Sequence, residues 1–143
     1  MPPTASHRRT LTAAFVVLAC GAAAADTRPS AELCDRTKLA GRAFIECLES
    51  ALRDTDRALA EANAKAQAGI DARTDLVPTQ RTRWKNTLEE AHGLFVRYRN
   101  FECQNVAPYE GGTRIGAFEE RLTCLVDKNL ARIGDLQRRY GAQ

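Results

Sequence analysis

RAFIECLESALRDTDRALAEANAKAQAGIDA, residues 42–72, is the stretch that decides the fold. Phe44, Leu48, Ala51, Leu52, Thr55, Leu59, Ala62 and Ala66 recur at steps of three and four. That is the period of one helix face. Glu49, Arg53, Asp54, Arg57, Glu61 and Lys65 occupy the other face, and Glu61–Lys65 is an i,i+4 pair in the favourable order. Gly69 weakens the end of the helix, and Thr74 to Pro78 reads as a turn.

Two further helices follow. One begins near Pro78, a good first-turn residue. Its expected stripe is Trp84, Leu88, Ala91, Phe95, Tyr98 and Glu102, widened by Leu94 and Phe101. The other begins after Gly111-Gly112, with Thr113 as N-cap. Its stripe is Ile115, Phe118, Leu122, Leu125, Leu130, Ile133, Leu136 and Tyr140, broken by a step of five between Leu125 and Leu130. Alternating strand-type runs are absent. The expected fold is all-α: a small antiparallel hairpin or bundle of about three helices.

The N-terminus has the layout of a secretory signal. Met1 to Arg9 is short and basic, Leu11 to Leu18 is apolar, and Ala22 to Ala25 supplies small residues at A-x-A spacing. The apolar run is shorter than the roughly 20 residues a membrane span needs. Cleavage is expected after Ala25, leaving one domain over 26–143, periplasmic or secreted. The competing reading takes Val17-Leu18-Ala19-Cys20 as a lipobox with Cys20 lipidated. Leu18 fits poorly there, and export holds under either reading. Thr27 to Ser30, with Pro29 as breaker, reads as a linker.

Of 21 basic side chains, Arg8 and Arg9 fall in the signal segment, leaving 19 against 18 acids. That balance argues against a nucleic-acid partner, which wants a concentrated basic face. Cys34, Cys47, Cys103 and Cys124 remain after cleavage, and an even count in a small exported chain reads as two disulfides. Four cysteines allow three connectivities. Cys34 and Cys47 would stand about 20 Å apart in one straight helix, beyond the roughly 7 Å limit for a disulfide. Gly41 offers a bend between them, and Gly111-Gly112 offers one between Cys103 and Cys124. The turns favour Cys34–Cys47 with Cys103–Cys124; Cys47–Cys103 is the main competitor.

Catalytic chemistry finds no footing in these residues. His92 is the one histidine of the mature chain and has no second histidine for a metal site. Glu89-Glu90 and Glu119-Glu120 are sequence neighbours on helices, so their carboxylates splay apart rather than face each other across a cleft. Asp56 lies beside the apolar stripe, where an arginine of another helix would give it a structural role. Gly111-Gly112 lacks the Lys-Ser/Thr of a phosphate loop. No cofactor, metal or catalytic residue is expected.

The densest segment is VRYRNFECQNVAPYEGGT, residues 96–113. Exposed Tyr and Arg on a rigid support are what binding surfaces use. Arg97, Tyr98, Arg99, Tyr109, Glu110, Gly111 and Gly112 are therefore candidate partner-binding residues. The plainer reading puts Arg99 and Glu102 in internal ion pairs and Tyr98 in the core.

RYRNFEC, YEGGT and CLVDKNLARIGDL together resemble the LprI-like family of bacterial exported proteins. Its pattern is Tyr-Arg-Asp-x-x-Cys closing an aromatic helix, a Gly-Gly loop, then Cys with a downstream Arg and Leu. Tyr98, Arg99, Cys103, Gly111, Gly112, Cys124, Arg132 and Leu136 match it, and Cys34, Cys47, Asp56 and Leu59 match an upstream C…C…D-x-x-L portion. His92, Phe95, Asn100 and Ala60 depart from the family's usual Gln, Trp, Asp and Asn. The family takes its name from a lysozyme-inhibiting lipoprotein. The resemblance implies a non-enzymatic envelope module with a protein partner, in its specific form a lysozyme inhibitor. A structural or accessory periplasmic protein with another partner is the alternative.

Overall fold

The structure, a computed structural model, describes residues 28–141. The signal segment, its cleavage position and Cys20 lie outside the described residues. Five helices run in order: α1 (Pro29–Leu33), α2 (Arg42–Asp71), α3 (Pro78–Asn105), α4 (Ala107–Glu110) and α5 (Arg114–Tyr140). The three long ones match the three expected helices. The residues read as a linker are instead partly helical: α1 begins at Pro29, and Ser30 is buried. Arg28 and Ser30 explain this, because both bond to α5. The Arg28 guanidinium pairs with Asp127 at 2.8 Å and with Glu120, and the Ser30 N–H donates to Asp127 Oδ1 at 2.7 Å.

The core is made chiefly by α2 against α5. Phe44, Leu48, Ala51, Thr55, Leu59, Ala62, Ala66 and Ile70 are the buried residues of α2. The alanines in that row let α5 come close. On α5 the buried row is Leu122, Val126, Asn129, Ile133, Leu136 and Tyr140, with Leu125 beside it. Those steps are four, three, four, three and four, so the sequence gap between Leu125 and Leu130 is filled by Val126 and a buried asparagine. Ile115 and Phe118, expected in this stripe, are exposed, so the buried row begins only at Leu122.

The apolar core divides into layers. One joins Leu59, Ala62, Ala66, Ile70 and Leu88 to Ile133, Leu136 and Tyr140. The second joins Cys34, Phe44, Leu48 and Ala51 to Leu122 and Val126. A third, smaller, surrounds Cys103, Ala107, Cys124 and Leu125. Thr55 and Asn129 lie in sequence between the first two layers on their helices.

α3 is held more sparsely. Only Leu88 and Cys103 of its 28 residues are buried, with Trp84 and Phe95 partly so. The helix is also rotated from the expected seam. Ala91 and Tyr98 are exposed, whereas His92, Phe95, Arg99 and Cys103 turn inward. Cys103 must meet Cys124, and that fixes the rotation at this end.

Both disulfides join the cysteines that share a turn. Cys34–Cys47 has its Cα atoms 5.9 Å apart, and Cys103–Cys124 has them 5.5 Å apart. Gly41 takes φ +55° and Gly112 takes φ +67°, conformations that favour glycine. Gly111 meets a different constraint: a Cβ there would lie 2.3 Å from the Gly116 carbonyl carbon. Thr113 caps α5 as expected, its hydroxyl accepting from the Gly116 N–H at 2.9 Å.

Replacing Cys103 and Cys124 together by serine is expected to lower stability by about 3 kcal/mol on the loop-entropy account. Urea unfolding of the oxidised chain and of the double variant checks this. Equal midpoints would show that the noncovalent contacts alone hold α3 to α5.

Candidate partner-binding surface

The candidate residues do not form one patch. Arg99 turns into the bundle. Its side chain is 11% exposed, and Nη1 donates to Asp56 Oδ1 at 2.8 Å and to Asn129 Oδ1 at 2.6 Å. Nε and Nη2 both donate to Asn100 Oδ1, at 3.0 and 2.9 Å. Asn129, 0% exposed, donates in turn to Asp56 Oδ1 at 2.9 Å and to Thr55 Oγ1 at 3.2 Å. The Thr55 hydroxyl donates to the Ala51 carbonyl at 2.8 Å. Three helices thus meet in one hydrogen-bonded layer, and Arg99 is its hub.

Nothing in the sequence reading singled out Asn129. Its signal was the broken apolar step at Leu125–Leu130, where a polar residue holds a core position. Asp56 does pair with an arginine of another helix. Among the described residues, Glu102 makes no salt bridge within 4.0 Å.

Tyr98 lies on the outer side of α3. Lys128 stands 4.8 Å from its ring centroid and donates to its hydroxyl at 3.0 Å. The lysine thereby holds a half-exposed ring in one place. Arg97 is exposed and makes no ion pair among the described residues. Tyr109, on α4, is 88% exposed, with Glu110 exposed beside it.

Glu110 lines a groove of about 430 Å³ between α3, α4 and α5. Glu102, Glu120, Asp127, Lys128 and Arg28 share its wall. Gly111 instead lines a neighbouring cavity of about 340 Å³ with Arg36, Phe44 and Glu119. Glu119 is buried, and Arg36 both pairs with it and lies over the Phe44 ring at 4.4 Å. Glu119, Glu120 and Asp127 of these clefts are engaged by Arg36 and Arg28, Glu102 and Glu110 make no salt bridge among the described residues, and no group of three His, Cys, Asp or Glu among them could hold a metal ion.

His92 faces the bundle rather than a cleft. Burial pushes its imidazole below the ordinary 6.5, and nearby Arg132 and Arg99 add to that against an opposing pull from Glu89. The imidazole is therefore neutral at pH 7. Arg132 lies 5.6 Å from the Phe95 ring centroid and donates to Asp135 at 3.1 Å. Among the described residues, no helix is long and apolar enough to cross a membrane.

The sequence model of the family described as lysozyme inhibitor LprI matches residues 34–136. The matched span runs from the first disulfide cysteine to Leu136 and includes the whole Arg99 layer. No curated protein and no solved structure matches the chain.

Two outcomes follow from this geometry. Arg99→Ala leaves Asn129 and Asp56 short of a donor and is expected to cost about 2–3 kcal/mol, whereas exposed Arg97→Ala stays within about 0.5 kcal/mol. Chemical unfolding of the two variants compares them directly. His92 has a depressed folded pKa, so its contribution is complete above about 6.5 and is lost as pH falls through the folded value. The melting temperature of the parent chain should therefore drop more between pH 7.5 and 5 than that of His92→Gln.

Proposed function

The chain belongs to the lysozyme inhibitor LprI family, and from that premise we propose that it is an exported, non-enzymatic envelope protein that binds and inhibits a lysozyme. The observation that carries this reading is the family match across residues 34–136, the stretch that contains both disulfides and the three-helix polar layer. Disulfides persist in oxidising compartments outside the cytosol, which supports export.

An inhibitor of this kind works as a rigid body. The stapled bundle presents fixed side chains, so little conformational freedom is lost on binding. Arg97 and Tyr98 on α3 and Tyr109 and Glu110 on α4 are the contact residues, and Gly111 and Gly112 shape the turn from α4 into α5. Arg99 acts behind this surface as a positioning residue: it locks α3 against α2 and α5. The mature chain is nearly neutral, so affinity rests on shape and a few anchors rather than on long-range steering.

Titration of the oxidised mature domain into c-, g- and i-type lysozymes tests the reading, following binding and cell-wall lysis together. Saturable inhibition near an equimolar ratio is expected for at least one type. Absence of binding to all three would leave an envelope accessory protein with a different partner.

A further inference from the structure

α3 carries two faces of different character. The inner one makes the contacts described above. On the outer one, Leu94, Tyr98 and Phe101 are 53%, 52% and 66% exposed. They stand at i, i+4 and i+7, so they form one ridge along the helix. This is the anchor spacing by which a helix seats in a groove. Glu90 precedes the ridge and Gln104 and Asn105 follow it, all exposed, so the apolar part is about 10 Å long. Arg97 flanks the centre of the ridge.

We infer that this ridge, Leu94–Tyr98–Phe101 with Arg97, enters the substrate cleft of the partner enzyme and sets the Arg97 guanidinium against a cleft carboxylate. The inference rests on the proposal that the partner is a lysozyme. Size argues for a concave occupant over a second copy of the chain. The three side chains expose together roughly 300 Å², judged from the areas such residues bury. A stable interface needs about 800 Å² per partner. Two convex ridges laid side by side bury little beyond their crests, whereas a cleft closes on both flanks of one ridge. Charge gives the second argument. A glycoside hydrolase cleft carries a pair of carboxyl groups. Arg97 is an exposed cation beside the apolar crest, with no carboxylate within 4.0 Å among the described residues. Arg suits the role because its planar fork meets a carboxylate with two parallel bonds. The ridge is also held in advance: the Arg99 layer and Cys103–Cys124 fix the helix's rotation, and Lys128 fixes the Tyr98 ring.

The experiment uses the oxidised mature chain and a lysozyme that it inhibits. Leu94→Asp, Arg97→Glu and Phe101→Ser are each expected to weaken inhibition about tenfold or more, the scale of interface anchors. Arg53→Glu, an equal charge change on the exposed face of α2, leaves inhibition at the parent level. All four positions are exposed, and circular dichroism with urea unfolding confirms that the variants fold like the parent. A chito-oligosaccharide filling the enzyme's cleft competes with the parent chain. Parent-level inhibition by the three ridge variants, with loss confined to Tyr109→Ala, would overturn the inference while leaving lysozyme inhibition intact. Simultaneous binding of protein and oligosaccharide would overturn it as well. A parent chain that inhibits no lysozyme removes the underlying proposal, and the inference with it.

Discussion

A fully buried asparagine has to be hydrogen-bonded, and in this bundle that requirement falls on Asn129. Its carbonyl accepts from Arg99, and its amide donates to Asp56 and Thr55. Satisfying it therefore fixes one residue on each of the three long helices. Leucine at the same place would pack against α2 in more than one register. The polar layer accepts one arrangement, because sliding or rotating any helix leaves a buried donor or acceptor unpaired. Apolar layers on both sides then supply the bulk of the burial without having to specify alignment.

The same layer explains why α3 can be so lightly buried and still be placed. A helix that contributes two buried residues is not held by area. It is held by partly buried Trp84 and Phe95, by Arg99 one turn further on, and by a covalent bond at Cys103. Anchoring by points leaves the opposite face unused for folding. Arg99 and Tyr98 are sequence neighbours, one facing in and one facing out, so the residue that orients the helix also determines what it presents.

How much of this was legible in the sequence differs by helix. α2 and α5 announced themselves, because α2 has a nearly continuous apolar row and α5 has a capped start and a strong one. The disulfide pairing followed from where glycines allowed the chain to turn. α3 was legible as a helix but not in its rotation. Its inner meridian reads Trp84, Leu88, His92, Phe95, Arg99 and Cys103, and half of those are polar or cross-linked, so apolar periodicity drifted to Tyr98. Asn129 escaped for the same reason, since a polar side chain in a core row looks like a gap. α1 was missed because its order comes from distant carboxylates on α5, which local propensity cannot register. The binding residues were chosen by type, and type alone does not separate Arg97, which faces water, from Arg99, which does not.

Of the four bonded cysteines, each pairs with its neighbour in the chain, Cys34 with Cys47 and Cys103 with Cys124. Their loops span only 13 and 21 residues. Under the proposed export, in which the chain emerges N-terminus first into an oxidising compartment, this ordering has a kinetic meaning. The first pair can close while Cys103 and Cys124 are still behind it, and short loops close at little entropic cost. The second pair then forms with Cys34 and Cys47 already bonded to each other. Thiol exchange through a mixed disulfide, the slow step that corrects wrong pairings, then has fewer of them to correct. The order of cysteines along the chain thus does part of the work of an isomerase.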